Sequence, residues 1–94
     1  MRAGNIYLEL FEYLTPEPPP LEPNRPVCNF GYIHMAFDVE NVMGLYERLK
    51  AAGMKFHTEP QTAYGVTTTY GRDPFGNVIE LQEIHEGRYV KPLD

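Results

Sequence analysis

The sequence predicts an α+β domain in which one helix packs on one face of a small sheet. Apolar and polar residues alternate, as in strands, over residues 5–13, 31–38, 66–70 and 78–83. Over residues 42–52 the apolar residues recur instead at helical spacing. At 94 residues the chain is one domain at most, and so short a chain buries only part of its surface. Self-association is therefore expected to add core.

The predicted strands each have an aliphatic face and a polar or aromatic face. The aliphatic faces consist of Ile6, Leu8 and Leu10, then Ile33, Met35 and Phe37, and finally Ile79 and Leu81. Because side chains along a strand alternate with period two, Glu9, His34 and Glu80 lie on the opposite faces. The helix can cover only the aliphatic side. These three polar residues are therefore predicted to point away from it.

The predicted helix has signals at both ends. Glu40 or Asn41 can cap its N-terminus before Val42, and Gly53 fits the C′ position after its last turn. The elements that follow are a short strand, a loop, a threonine-rich strand, a tight turn and the last strand, at 54–56, 61–63, 66–70, 73–77 and 78–83. The resulting order is strand, helix and three strands.

The chain has two segments without a clear period. Six of its nine prolines lie between Pro16 and Pro26, where the missing N–H groups and the fixed φ angles exclude helix and sheet. We expect an extended connector there and an irregular tail at the C-terminus. The predicted organisation is a strand, the connector, a βαβββ module and the tail, at 1–13, 14–28, 29–83 and 84–94.

Composition restricts the kinds of partner and the cellular compartment that we expect for this protein. With 8 basic and 13 acidic residues the net charge is -5, and no basic cluster is present, which disfavours nucleic acid and membrane surfaces. Cys28 is the single cysteine, so an internal disulfide framework is excluded. The first residues lack a secretory signal, and no apolar run reaches membrane-spanning length. We expect a cytoplasmic protein with a small-molecule or protein partner.

Glu9, His34 and Glu80 are the candidate chemical residues. A charge in the middle of a strand needs a partner if it is buried, and a divalent metal is one such partner. Imidazole and carboxylate suit Zn, Ni, Mn, Co or Fe. Residues 4–10 also resemble residues 76–81 with one residue inserted, which makes Glu9 the counterpart of Glu80. Alternatively, His34 is a hydrogen-bonded strand histidine and Glu80 a solvated strand residue.

Residues 32–39, 45–53 and 70–81 resemble the second module of glyoxalase/bleomycin resistance/dioxygenase (vicinal oxygen chelate) superfamily proteins. The similarity covers residues 29–83, and the run from Arg72 to Leu81 is its most specific part. Family members pair two βαβββ modules into a cup and bind a metal through the first and last strands of each module. The resemblance implies that His34 and Glu80 are metal ligands, with Glu9 the last-strand ligand of a preceding module.

The resemblance also implies an activity. The expected function is a metal-dependent lyase or isomerase acting on a small α-oxygenated carbonyl compound, with Glu80 or Glu9 as the proton-transferring base. A glutamate at position 9 favours this reaction type over a ring-cleaving dioxygenase. A non-catalytic small-molecule-binding module is the other alternative. The candidate substrate-binding residues are Tyr7, Phe11, Thr68 and Tyr70.

A cup needs a second module. Two interpretations of the sequence are open: the chain is the C-terminal part of a longer protein, or two copies form a homodimer that completes one cup. The chain that would donate Glu9 differs between them.

Overall fold

The computed structural model describes residues 1–85, which form one helix, a five-stranded sheet and a small separate hairpin. The α+β fold class predicted from the sequence is confirmed. The elements in chain order are β1 (Arg2–Ala3), β2 (Ile6–Tyr7), β3 (His34–Asp38), α1 (Val42–Ala51), β4 (Lys55–Phe56), β5 (Gln61–Ala63), β6 (Val66–Arg72) and β7 (Val78–Ile84).

The main sheet has the strand order β3-β7-β6-β4, and β5 also pairs with β6. β3 runs parallel to β7, while the pairs formed by β6 are antiparallel. Met35 is opposite Ile79 and Phe37 is opposite Leu81, so the aliphatic residues of β3 and β7 share one face. This register confirms the faces predicted from the alternation.

Helix α1 is closed at both ends by local hydrogen bonds. Asn41 is the N-cap, and its Oδ1 accepts the N–H of Gly44 at 3.0 Å. At the other end the Gly53 N–H donates to Lys50 O and the Met54 N–H donates to Leu49 O, which is a Schellman motif. Gly53 has φ 105°, a conformation that glycine adopts without steric cost.

The helix packs on the aliphatic face of the sheet. Its buried residues are Val42 and Tyr46, and the Tyr46 ring meets Phe56 edge to face at 4.7 Å between centroids. The Val42 N–H donates to Glu83 Oε1 at 3.2 Å, which ties the start of the helix to β7. The helix thus covers one face, and the opposite face of the sheet stays open.

The N-terminal strand is far shorter than the predicted 5–13. Only β2 forms there, and it pairs with β1 through a turn at Gly4, where φ is 61°. A strand persists only where a neighbouring strand takes up its backbone hydrogen bonds, and residues 9–13 pair with no strand of the described chain. The prediction of a long strand was therefore wrong for this part of the chain.

The loop predicted at 61–63 was also wrong, since these residues form β5. Ala63 pairs with Val66 across a two-residue turn, in which Tyr64 and Gly65 have φ 54° and 76°. Positive φ at both positions is typical of the tight turns that join antiparallel strands. Glycine at the second turn position was the sequence signal for this hairpin.

The connector is held to the module by Arg72. This side chain donates from Nη2 to Arg25 O at 2.9 Å and from Nη1 to Gly76 O at 3.1 Å. Residues 14–28 contain no helix or strand, as the prolines predicted. Of the tail predicted for 84–94, Ile84 belongs to β7, and residues 86–94 lie outside the described residues. Within residues 1–85, no helix has the length and apolar character needed to cross a membrane.

Candidate functional site

The open face of the sheet brings together side chains from three neighbouring strands. Tyr70 of β6 is opposite Glu80 of β7, and Glu80 is opposite Ala36 of β3. His34, two residues before Ala36, lies on the same face because side chains alternate along the strand. The three strands therefore place His34, Glu80 and Tyr70 next to one another, on the side that the helix does not cover.

His34 and Glu80 are in direct contact. The distance from His34 Nε2 to Glu80 Oε2 is 3.0 Å, within the range of a charge-assisted hydrogen bond. The His34 side chain is 28% exposed and the Glu80 side chain 12% exposed, so the contact is accessible from the open face. Tyr70 lies beside the pair, with its ring edge-on to the imidazole at 5.4 Å between centroids.

The pKa of the Tyr70 hydroxyl is raised at this site. Partial burial raises the pKa of its hydroxyl, and the negative charge and hydrogen bonding of Glu80 raise that pKa further. The neutral phenol is therefore favoured beside the carboxylate. Because the raised pKa belongs to the folded state, this contribution to stability is present below pH 10 and is lost as the pH rises through the pKa of Tyr70.

We expect the Tyr70 hydroxyl to ionise above its ordinary pKa of 10.0. The measurement is the ultraviolet absorbance of tyrosinate during an alkaline titration, with the curve of Tyr70→Phe subtracted from that of the unchanged protein. The difference curve should have its midpoint at higher pH than a free tyrosine derivative titrated in the same buffer. A midpoint at or below that of the free derivative would show that neither burial nor Glu80 raises the pKa of the Tyr70 hydroxyl.

The spacing of His34 and Glu80 fits two ligands of one metal ion. Metal–ligand distances of about 2.0–2.2 Å place adjacent ligand atoms of one ion roughly 3.0–3.5 Å apart. The observed separation of Nε2 and Oε2 is 3.0 Å. Imidazole nitrogen and carboxylate oxygen are also the donor types preferred by Zn and the neighbouring transition metals. His34 and Glu80 therefore fit two of the ligands of a divalent metal ion.

Residues 1–85 do not assemble a full set of metal ligands. Among residues 1–85, no three His, Cys, Asp or Glu side chains are grouped closely enough to hold a metal ion. Glu9, predicted as the third ligand, is exposed and follows the small hairpin rather than lying in the main sheet. One chain thus brings together two of the three predicted ligands, and Glu9 stays a prediction.

Two of the four candidate substrate-binding residues lie at this site, and the other two do not. Thr68 is opposite Gln82 in the register, so it lies on the open face two residues before Tyr70. Tyr7 and Phe11 belong to the N-terminal part of the chain, where they are 75% and 74% exposed. Gln82 was not singled out from the sequence, although it is two residues after Glu80 and shares its face by the same alternation.

The other two histidines lie away from this site. His57 is exposed and accepts a hydrogen bond from Arg72 Nε at 3.3 Å. His85 is half-buried, and its Nε2 lies 2.7 Å from Thr67 Oγ1. Thr67 is opposite Glu83, whose carboxylate meets the helix, so this contact belongs to the helix side of the sheet.

A cavity of about 1400 Å³ lies on the helix side of the sheet. Its walls include Leu45 and Leu49 of the helix, Phe37 of β3 and the connector prolines. Neither His34 nor Glu80 lines it. The cavity is apolar space left between the connector and the aliphatic face, and it is separate from the candidate site.

Comparison with known proteins agrees with this geometry. Residues 1–81 match the family model of the Glyoxalase/Bleomycin resistance protein/Dioxygenase superfamily. No curated protein is significantly similar to the chain.

Two solved structures have a similar fold. A glyoxalase family protein from Bacillus cereus has a TM-score of 0.67 and 29% identity, over 77% of this chain and 49% of that one. A glyoxalase/bleomycin resistance protein/dioxygenase from Nocardioides has a TM-score of 0.54 and 24% identity, over 67% of this chain and 44% of that one. The chain therefore matches about half the length of each relative.

Proposed function

Because the chain belongs to the glyoxalase/bleomycin resistance protein/dioxygenase superfamily, we propose that it supplies half of a metal-dependent lyase or isomerase. The substrate class is a small carbonyl compound with an oxygen on the neighbouring carbon. The observation that carries the proposal is the contact of His34 and Glu80 at 3.0 Å on the open face of the sheet. A second module, facing this surface, would complete the cup.

His34 and Glu80 would hold the metal in this proposal. When bound, a divalent ion supplies positive charge that stabilises negative charge developing on the substrate's adjacent oxygens. His34 would hold the ion through Nε2, which must then carry no proton, so metal binding and protonation would compete at this atom. The Glu80 side chain is only 12% exposed, which restricts the access of water to the carboxylate.

Glu80 is also the proposed base. Its carboxylate takes a proton from the carbon next to the substrate carbonyl and returns it to the carbonyl carbon, while the hydroxyl proton moves to the former carbonyl oxygen. Tyr70 positions this carboxylate, because its hydroxyl remains protonated beside Glu80 and can donate a hydrogen bond to it. Thr68 and Gln82 extend the same face and offer further polar contacts to a substrate.

A non-catalytic binding module is the second candidate. The observation in its favour is that residues 1–85 assemble no group of three metal-ligating side chains. In that case an organic ligand would occupy the cup, and its binding would not depend on a metal. A ligand that raises the melting temperature equally with and without a chelator would favour this candidate.

The proposed function is tested by exchange of the substrate's α-hydrogen in D₂O, followed by proton NMR. The full chain is incubated with Zn, Ni, Mn, Co or Fe(II) and a panel of α-hydroxy and α-keto carbonyl compounds. We expect exchange that requires one of the metals and stops with a chelator or with Glu80→Gln. Glu47→Gln, an exposed change on the helix, serves as the matched control.

If no compound of the panel exchanges its α-hydrogen, although the protein binds metal, the catalytic proposal is contradicted. Exchange that continues in Glu80→Gln would instead contradict the assignment of Glu80 as the base. The assay follows the proton transfer itself, so the final product need not be known.

A further inference from the structure

We propose that a small cavity at the His34 end of the open face, lined by Arg25 and Arg72, binds an oxyanion, and that this oxyanion is a carboxylate or phosphate group of the substrate. The inference rests on the proposed function for the identity of the ligand, but anion binding itself can be measured without a metal. It restricts the substrate class to α-oxygenated carbonyl compounds that carry an anionic group at their other end.

The sheet register places this cavity beside the candidate site. Val78 of β7 is opposite His34 of β3 on one side and opposite Arg72 of β6 on the other, so the three residues form one row across the sheet. Side chains in such a row point to the same face, which is also the face of Glu80, two residues after Val78. The cavity, of about 120 Å³, lies between this row and Arg25 of the connector.

The cavity walls carry positive charge without a matching negative charge. Arg25 and Arg72 line it, and no aspartate or glutamate of residues 1–85 does. The ion pairs formed within these residues involve histidines, so neither guanidinium is paired with a carboxylate there. Asp73, next to Arg72, uses both carboxylate oxygens in its own turn, where they accept hydrogen bonds from Phe75 and Asn77. Two half-buried cations without a counter-ion favour an anion in the cavity.

Both arginines keep N–H groups that an anion can use. Arg72 donates from Nε to His57 Nε2 and from its two terminal nitrogens to backbone oxygens of the turn and the connector. Arg25 donates from Nη2 to Phe30 O at 2.8 Å. A guanidinium has five N–H groups, so two on Arg72 and four on Arg25 are not used by these hydrogen bonds. Since none of the acceptors is an anion, the bonds position the two guanidinium groups without neutralising them.

The size and the other walls of the cavity suit one small anionic group. About 10–15 Å³ of such volume is enough to hold one water molecule, so a cavity of about 120 Å³ holds a group of several heavy atoms. Carboxylate and phosphate match the fork of N–H groups that a guanidinium presents. The other walls include Leu21, Val27 and Ile33, and such apolar neighbours strengthen the attraction between opposite charges.

The cavity is close enough to Glu80 for one small substrate to reach both. Residues along a strand are about 3.3 Å apart, so Val78 at the cavity and Glu80 at the proposed metal site are separated by about 7 Å. An extended chain of about five or six bonds, each of roughly 1.5 Å, covers this distance. The expected substrate therefore carries its anionic group several bonds from the reacting carbonyl.

Anion binding without metal is the first test. The full chain is titrated with sodium phosphate or sodium acetate while sodium chloride keeps the ionic strength constant, and its melting temperature gives the Kd. We expect saturable binding of at least one anion, and the lower Kd distinguishes a phosphate from a carboxylate ligand. Arg25→Gln should weaken binding at least about 10-fold, because charge-assisted hydrogen bonds are lost. Arg25→Lys, which keeps the charge but not the fork, should give an intermediate Kd. Arg48→Gln, an equal change of charge on the exposed side of the helix, should leave the Kd unchanged.

Paired substrates test whether the anion belongs to the substrate. In the exchange assay, α-hydroxy ketones with a terminal carboxylate or phosphate are compared with the corresponding methyl ester or free alcohol. We expect the anionic member of a pair to have a KM at least about 10-fold lower with a similar kcat, because its charge is bound away from the reacting carbon. Arg25→Gln should remove this difference by raising the KM of the anionic compound alone.

The outcomes separate this inference from the proposed function. If anion binding depends on Arg25 but no compound exchanges its α-hydrogen, the anion site is supported and the proposed function is refuted. If exchange occurs with equal KM for the charged and neutral members of each pair, the proposed function is retained and the substrate assignment is overturned. If neither anion raises the melting temperature, or if both act equally on the unchanged protein and on Arg25→Gln, the cavity is not an anion site.

Discussion

Replacing His34 by Ala, or Glu80 by Gln, is expected to weaken divalent metal binding by at least about 100-fold, since even outer partners of metal ligands are worth about 10–100-fold. The reason is the contact of the two side chains at 3.0 Å, which makes each of them one of the two proposed ligands in the described chain. Titration with Co²⁺, followed by its absorbance, measures the affinity. The metal-dependent exchange of substrate hydrogen should fall with it.

His85→Ala is the matched control for this prediction. It removes a histidine at the end of β7, where the imidazole lies 2.7 Å from Thr67 on the helix side of the sheet. Metal affinity should stay within about twofold, since His85 takes no part in the proposed ligand set. If His85→Ala lost the metal and His34→Ala retained it, the metal site would lie on the other face. Far-ultraviolet circular dichroism verifies that each variant is folded.

Leu81→Ala is expected to lower the free energy of unfolding by about 2–5 kcal/mol, the usual range for a buried leucine. Leu81 is 3% exposed and pairs with Phe37 on one side and Thr69 on the other, at the centre of the face that the helix covers. Since domains are stable by only about 5–15 kcal/mol, a large part of the stability depends on this side chain. Urea unfolding measures the change.

Met43→Ala is the control for the core prediction. Met43 is on the same helix as Val42 but is 50% exposed, so its truncation should change the free energy of unfolding by no more than about 0.5 kcal/mol. A loss below 1 kcal/mol for Leu81→Ala would mean that the aliphatic face is not the core. Because Glu80 precedes Leu81 in β7, a loosened core should also weaken metal binding, although less than removal of Glu80 itself.

Alternation along the strands and the capping residues of the helix predicted most of the βαβββ module. The alternation around His34 and Glu80 placed both on the face away from the helix, and the register of β3 and β7 shows them there. The helix ends predicted at Glu40 or Asn41 and at Gly53 are confirmed, with Asn41 as the N-cap, because capping depends on residues within a turn of each end. Strand bounds differed by up to three residues, as at His34, since the last pairs of a strand depend on its neighbour.

Residues 5–13 show that alternation alone does not predict a strand. Ile6, Leu8 and Leu10 alternate as clearly as the residues of β7, yet only Ile6–Tyr7 forms a strand there. Alternation describes which side chains can share a face, but a strand also requires another strand beside it. The position of Glu9 therefore depends on pairing that its own sequence does not contain.

The sequence by itself determined the two faces of the sheet. It placed the candidate site residues His34, Glu80, Tyr70 and Thr68 on one face and the aliphatic residues that the helix covers on the other. These follow from the period of two along each strand, which is a local property of the chain. Only the tertiary structure decided that His34 Nε2 and Glu80 Oε2 lie 3.0 Å apart. That distance is set by the parallel pairing of strands 46 residues apart, and pairing over such a separation depends on packing of the whole module.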